Sequence, residues 1–295
     1  NRLAAQCVGM LGSKRSRKDI SLELGVSEST VGRWLLLRDY SKPALLPKVL
    51  SIDEFKGDTE YGKFQCILTA PVEKRVVDIL PTRYSSQIYE YLSGFPSRKQ
   101  VRYFIMDMNK EYLRIAKNLL PNATIVIDRF HVVRYCTWAL ENVRKRVQKS
   151  LPKEERIYFK HSRRLLLAHM SRLSDESKAA LERMLLVSRD LREAYLLKEV
   201  LYKFMESGNS LQAKERLREF RLHAYVADIP EFQTCLTMLQ NWEKYILNAF
   251  DCPYSNGFTE GVNNTIKVVK RIGYGYRNFC NFRARILATV NDRAG

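Results

Sequence analysis

The chain has 295 residues, 45% of them hydrophobic, enough for two domains or for one large domain with an insertion, each with a real core. Fifty Lys and Arg against 32 Asp and Glu give a formal charge of +18, which points to a polyanionic partner, nucleic acid first. Six scattered cysteines with no C-x-x-C pair argue against a zinc knuckle and a disulfide framework, and no apolar run approaches the ~20 residues of a membrane span, so a cytoplasmic protein with no membrane partner is expected.

Residues 1 to 40 read as three short helices, and because the first opens at once, sequence is expected to precede Asn1. Leu3 to Leu11 form the first and Arg17 to Leu24 the second, and Ser27 caps a third that runs to about Arg38. This is a helix-turn-helix outline. Ile20, Leu24, Val26, Val31 and Trp34 supply its small core, and Ser29, Thr30 and Arg33 face outward where a recognition helix meets base edges. The same kind of unit also serves as a linker or a dimer contact.

The two prolines between Ser41 and Pro47 mark a boundary. Beyond it, strands at Lys48 to Asp53, Phe64 to Ala70 and Val76 to Leu80 are predicted to pair as an antiparallel meander. A helix (Ser85 to Leu92), a strand (Val101 to Asp107), a helix (Glu111 to Leu120) and a strand (Thr124 to Asp128) then alternate as parallel crossovers do. The fold class predicted is α/β, a ribonuclease H-like mixed five-stranded sheet ordered 3-2-1-4-5. From Val132 to Phe250 the pattern is helical throughout, with a basic run at Arg144, Lys145, Arg146 and Lys149. Four segments follow: a helix-turn-helix domain at 1–40, the first part of the core at 41–131, a helical insertion at 132–250 and the second part of the core at 251–295.

The last segment carries the most distinctive stretch, PYSNGFTEGVNNTIKVVKRIGYGYRNF from Pro253 to Phe279. Thr259 is placed to cap a helix there. On a 3.6-residue wheel Glu260, Asn263, Asn264, Lys267, Lys270 and Arg271 share one face, and Val262, Ile266 and Val269 the other. A face that starts with a carboxylate and runs into three cations suits a metal ion followed by a phosphate backbone.

Two further carboxylates end apolar strands, Asp53 after Val49-Leu50-Ser51-Ile52 and Asp107 after Tyr103-Phe104-Ile105-Met106. In the predicted order those strands are neighbours, about 4.8 Å apart. Side by side, two carboxylates raise each other's pKa unless a hard divalent cation neutralises them. Singly, each is a common strand-end or first-turn acid; with Glu260 the three would complete a two-metal site.

These motifs resemble DDE transposases of bacterial insertion sequences, most closely the ISL-three family within the Mutator-like group. The resemblance rests on SIDEF around Asp53, MDMN around Asp107, IDRFHV around Asp128 and SNGFTEGVNNTIKVVKRIGYGYRNF around Glu260. It implies that Asp53, Asp107 and Glu260 are catalytic and hold two Mg²⁺ ions, Mn²⁺ serving as a substitute, and that Asn109, Asn263, Asn264 and Asp128 orient them. It also implies double-stranded DNA as partner, both the terminal inverted repeats and the target. End cleavage, 3′-OH joining and at least a dimer at synapsis follow, in a bacterial nucleoid-associated protein. Members often carry a cysteine cluster ahead of the helix-turn-helix; here Cys7 is the only cysteine before Cys66. A non-catalytic DNA-binding regulator and another ribonuclease H-like nuclease stay open as alternatives.

Two smaller features each allow two readings. His131, in the D-x-x-H element with Asp128, is either a structural residue or a catalytic one that holds scissile phosphate or orients a carboxylate. Gly273 to Phe279 interleaves aromatics with glycines and Arg277. It either ends the helix with its rings packed inward, or stacks on unpaired bases and grips phosphate. Lys267, Lys270 and Arg271 are the stronger phosphate candidates because they continue the carboxylate face.

Overall fold

The computed structural model of the chain describes residues 2–13, 15–38, 40–159 and 162–291. The chain divides into two compact units, one from residues 1–126 and 254–295, the other from 127–253.

The first unit opens with α1 (Arg2–Gly12), α2 (Arg17–Leu24) and α3 (Glu28–Leu36). Serines cap the last two: Ser16 accepts from the Asp19 N–H and Ser27 from the Thr30 N–H. Between them Gly25 takes φ 64°, the left-handed turn that a side chain would resist. Ile20 and Val31 are fully buried, while Leu24, Val26 and Trp34 pack half-buried around them.

The sheet has the order β3-β2-β1-β4-β5, from β1 (Val49–Thr59), β2 (Gly62–Ala70), β3 (Arg75–Leu80), β4 (Tyr103–Met106) and β5 (Thr124–Ile127). β1 to β3 form an antiparallel meander and β4 runs parallel to β1. This mixed five-stranded α/β arrangement is the one expected of a ribonuclease H-like core. The crossover into β4 carries α4 (Ser85–Ser93), and α5 (Lys110–Leu119) connects β4 to β5. Leu50, Ile52, Phe104, Ile105 and Met106 are all buried, as the central strands of a covered sheet require.

β4 is shorter than predicted at both ends, Tyr103–Met106, and β1 departs furthest from its predicted length. β1 does not stop at Asp53 but runs six residues on, to Thr59. The polar residues Glu54, Lys56 and Asp58 hide the strand, and pairing supplies what composition does not: Glu54, Phe55 and Lys56 oppose Cys66, Gln65 and Phe64 of β2. β4 has ended by then, so Asp53 stands where β1 leaves one of its two neighbours.

The second unit is helical: α6 (Arg129–Ser150), α7 (Lys153–Arg156), α8 (Ser162–Leu167), α9 (Asp175–Leu186), α10 (Arg189–Met205), α11 (Ser210–Ala227) and α12 (Pro230–Asp251). α6 packs on both α10 and α12 and buries Cys136, Leu140 and Val143. Within its basic run Arg146 ties helices together, reaching Asp190 at 2.8 Å and Glu231 at 2.7 Å, while Arg144 forks onto Glu141 of the same helix at 2.7 and 2.8 Å. No helix among the described residues is long and apolar enough to cross a membrane.

The chain then returns to the first unit with α13 (Gly257–Ile272) and α14 (Phe279–Asn291). Val262, Ile266 and Val269 are buried against Phe55, Ile67, Val76 and Ile79 of the sheet, each such side chain worth about 1.5–3 kcal/mol of burial. α14 serves two cores. Phe282, Ile286 and Leu287 join the sheet side, and Ala284 and Ala288 close the core of α1 to α3 with Cys7, Leu11 and Leu35.

Candidate active site

Residues alternate faces along a strand, so Ser51 and Asp53 of β1 point the same way while Ile52 and Glu54 point the other. α13 lies along the Ser51–Asp53 face. Ser51 Oγ donates to Asn256 Oδ1, Thr259 Oγ1 hydrogen-bonds Thr69 Oγ1 at 2.7 Å, and Asn263 Nδ2 donates to Asp53 Oδ2 at 2.7 Å. These contacts recur at the three-to-four-residue spacing of one helix face, and Glu260 falls within that seam, between Asn256 and Asn263.

Thr259 therefore does not cap the helix. α13 begins two residues earlier, at Gly257, with Asn256 at the cap position, and Thr259 is fully buried as part of the clasp that fixes the first turn to β1 and β2. The clasp of Ser51, Thr69, Asn256 and Thr259 was not foreseen from the sequence; the signal available for it was polar residues in otherwise apolar strands.

Asp107 arrives from the other side. The parallel register pairs Val49 with Tyr103 and Ser51 with Ile105. Carried two residues further, past the end of β4, the same register would bring Asp107 beside Asp53. The field of these acids is felt by their neighbours: burial pushes the Cys66 thiol well above its ordinary value, and Glu54, Asp53 and Asp107 push it the same way. The Tyr112 hydroxyl is raised by burial, by Cys66 and Glu54, and by Asp107. Glu54 itself is occupied, accepting from Tyr112 Oη at 2.9 Å and from Arg83 at 2.8 Å.

Asp53, Asp107 and Glu260 are each half-buried. Among the described residues no three His, Cys, Asp or Glu stand close enough to form a ready-made metal cluster. The donor set nonetheless fits a hard divalent cation. It consists of oxygen ligands, with Asn263 Oδ1 buried at the seam and without a hydrogen-bond partner among the described residues.

The remaining sequence-predicted residues have varied surroundings. Asn109 caps α5, its Oδ1 accepting from the Glu111 and Tyr112 N–H groups at 2.9 and 3.4 Å. Asn264 is exposed and accepts from Lys267 Nζ at 3.1 Å. Lys270 is held by Asp58 and by the Lys56 carbonyl, which leaves Lys267 and Arg271 as the exposed cations of that face. In the second unit Asp128 is buried and caps α6 through the Phe130 N–H, with His131 Nε2 3.8 Å from its Oδ2. On α3, Ser29 and Arg33 are exposed, and Thr30 Oγ1 bonds to Ser27 and Arg33. In the loop after α13, Tyr276 turns inward and stacks on Phe282, while Tyr274 is wholly exposed and Arg277 is exposed beside it.

A profile described as transposase, of the ISL3 group of DDE enzymes, matches residues 50–286. Over 250 residues the chain is 27% identical to the transposase for insertion sequence element IS1001 of Bordetella parapertussis, a match covering 83% of this chain and 61% of that protein. The chain thus spans about three fifths of the length of that relative. A shorter match, 48% identical over 60 residues, is to an ATP-dependent protease of Lactococcus lactis subsp. lactis and covers 20% of this chain and 19% of that one. With the profile covering most of its length, the chain belongs to the ISL3 family of DDE transposases.

Proposed function

We propose that this chain binds the terminal inverted repeats of an insertion sequence, hydrolyses the phosphodiester at the element's ends to free 3′-OH groups, and joins them to target DNA. Asp53, Asp107 and Glu260 are the residues that would hold Mg²⁺, two ions per site. Bound there, the metal supplies Lewis acidity to the attacking and leaving oxygens. Phosphoryl transfer asks little else of the protein than positioning and charge neutralisation. The observation that supports the reading most is the seam itself: the 2.7 Å bond from Asn263 to Asp53 draws the Glu260 face of α13 onto the strand whose parallel neighbour ends one residue before Asp107.

In this reading the chain's own groups do the following. Asn263 fixes the Asp53 carboxylate, and the buried clasp of Ser51, Asn256, Thr259 and Thr69 fixes the helix that carries Glu260. Lys267 and Arg271, exposed further along the face, take the phosphates of the strand beside the cut, and Arg277 follows them. Ser29, Thr30 and Arg33 of α3 read base edges in a helix-turn-helix. His131, beside Asp128, grips phosphate. Two ends must be brought together, so the working form is at least a dimer, acting on the bacterial nucleoid in the cytoplasm.

The test uses labelled DNA with candidate terminal repeats and Mg²⁺, repeated with Asp53→Ala, Asp107→Ala and Glu260→Ala. Cleavage of the 3′ strand and joining should be lost in all three variants while DNA binding survives. Wild-type binding without cutting under any divalent ion would overturn the enzymatic reading in favour of a DNA-binding regulator.

A further inference from the structure

A groove of about 730 Å³ lies between the first turn of α2 and the loop that follows α13. It falls within the ~300–1,000 Å³ usual for a small-ligand site. Arg17, Lys18, Arg271 and Arg277 line it against two carboxylates, Asp19 and Glu28. Asp19 is already engaged, accepting from Ser16 Oγ at 2.6 Å. The Nε and Nη2 of Arg17 are buried with no hydrogen-bond partner among the described residues. Those two nitrogens are closed to solvent, so what Arg17 gives the groove is its positive charge.

The loop is built to hold one ring out and one ring in. Tyr276 stacks on Phe282 with centroids 4.8 Å apart, and the Arg17 guanidinium lies 5.7 Å from its centroid on the groove side. A Cβ at position 273 would stand 2.4 Å from that ring, so Gly273 is what lets it seat. The Gly275 N–H closes back on the Lys270 carbonyl at 2.9 Å. Between the two glycines Tyr274 is forced to φ 50°, a left-handed conformation that a bulky residue resists, with its side chain 99% exposed. A large ring held in this conformation and wholly in solvent does nothing for the core.

We propose that this groove binds an unpaired nucleotide of a DNA strand, its phosphate held by Arg17, Arg271 and Arg277 and its base stacked on Tyr274. The inference rests on the DNA-binding reading above and narrows it. A base within a duplex offers only its edges to a protein; a face is available to Tyr274 only where the base has left the stack. A single protruding ring beside a cluster of cations matches one nucleotide at a strand end or a flipped position.

The test measures binding of the full chain to a short labelled duplex, either blunt or carrying a single-stranded overhang whose unpaired base is 2-aminopurine. The wild type should prefer the overhang and change the 2-aminopurine fluorescence. Tyr274→Ala should lose that change and about 5- to 150-fold of overhang affinity, the worth of one stacked base, with blunt-duplex affinity unaltered. Tyr274→Phe should keep both, and Arg17→Gln should weaken overhang binding with a shallower salt dependence. Blunt and overhang DNA bound equally, with Tyr274→Ala indistinguishable from wild type, would overturn the inference while leaving the DNA-binding reading standing. Failure to bind either DNA would overturn both. A free deoxynucleoside monophosphate that displaces the overhang at equal concentration would overturn the requirement for a strand.

Discussion

Asn263→Ala removes the 2.7 Å bond from its amide to Asp53 Oδ2, together with the buried Oδ1. A hydrogen bond to a charged group is worth about 1.5–3 kcal/mol; with Asp53 half-buried the lower end applies, roughly a factor of ten. The loss should fall on positioning, because Asp53 Oδ2 would lose the bond that draws it to α13. We expect cleavage of terminal-repeat DNA to drop about 10- to 100-fold and the Mg²⁺ needed for half-maximal rate to rise, the usual consequence of losing a group that orients a metal ligand. Without DNA, saturating Mg²⁺ should raise the melting temperature of the wild type. At a hundredfold excess over Kd the gain is about 2.7 kcal/mol, and each kcal/mol is worth ~2–4 °C in a unit of this size. The variant should show a smaller rise at the same Mg²⁺. Asn263→Asp, which sets a like charge against Asp53, should be worse at low Mg²⁺ and recover partly at high Mg²⁺. Wild-type cleavage and an unchanged Mg²⁺ curve in Asn263→Ala would refute the idea that this bond organises the site.

Three other outcomes are expected. Thr259→Val leaves the buried hydroxyls of Thr69 and Ser51 short of a partner and should cost about 1–3 kcal/mol, read by denaturant melts; a silent substitution would show that the clasp is not what seats α13. Neutralising Lys267 or Arg271 should each reduce the salt slope of DNA binding by about 1, whereas Lys270→Gln, which breaks the pairing with Asp58, should leave the slope and lower stability slightly. The Arg144 guanidinium holds the Glu141 carboxyl below its ordinary value. Such a depressed acid adds stability that is present above the unfolded pKa, about 4.3, and lost as the pH falls through the folded value. Glu141→Gln should therefore melt at a lower temperature than wild type near neutrality, with the gap closing below about pH 4. A gap constant with pH would assign the effect to something other than ionisation.

The sheet was legible because its strands carry runs such as Leu50-Ser51-Ile52 and Phe104-Ile105-Met106, and because Asp53 and Asp107 stand where the apolar runs stop. The far half of β1 was not. Its Glu54, Lys56 and Asp58 read as turn, and only pairing across to β2, a non-local fact, makes them strand. α13 was legible as a two-faced helix, and its apolar stripe is buried as the wheel predicts. Its start was not, since Thr259 has the chemistry of a cap and only tertiary packing turns it inward. α14 escaped for the opposite reason. Ala284, Arg285, Ile286, Leu287, Ala288 and Thr289 are buried in succession, so the helix is covered all round and leaves no stripe to detect. The two tyrosines of the glycine loop look alike in sequence; the stacking partner Phe282 is what separates them.

The double duty of α14 has a consequence for how the protein is made. Ala284 and Ala288 complete the core of three helices that end at Leu36, about 250 residues earlier. At the ~5–20 residues per second of synthesis, those helices wait on the order of ten to fifty seconds before the segment that closes their interior exists. During that interval Cys7, Leu11, Ile20 and Val31 have no finished shelter. The start of the chain thus acquires its fold only after the helix bearing Glu260 has been made, so a ribosome-bound fragment lacking α14 has neither the completed front end nor the completed sheet cover.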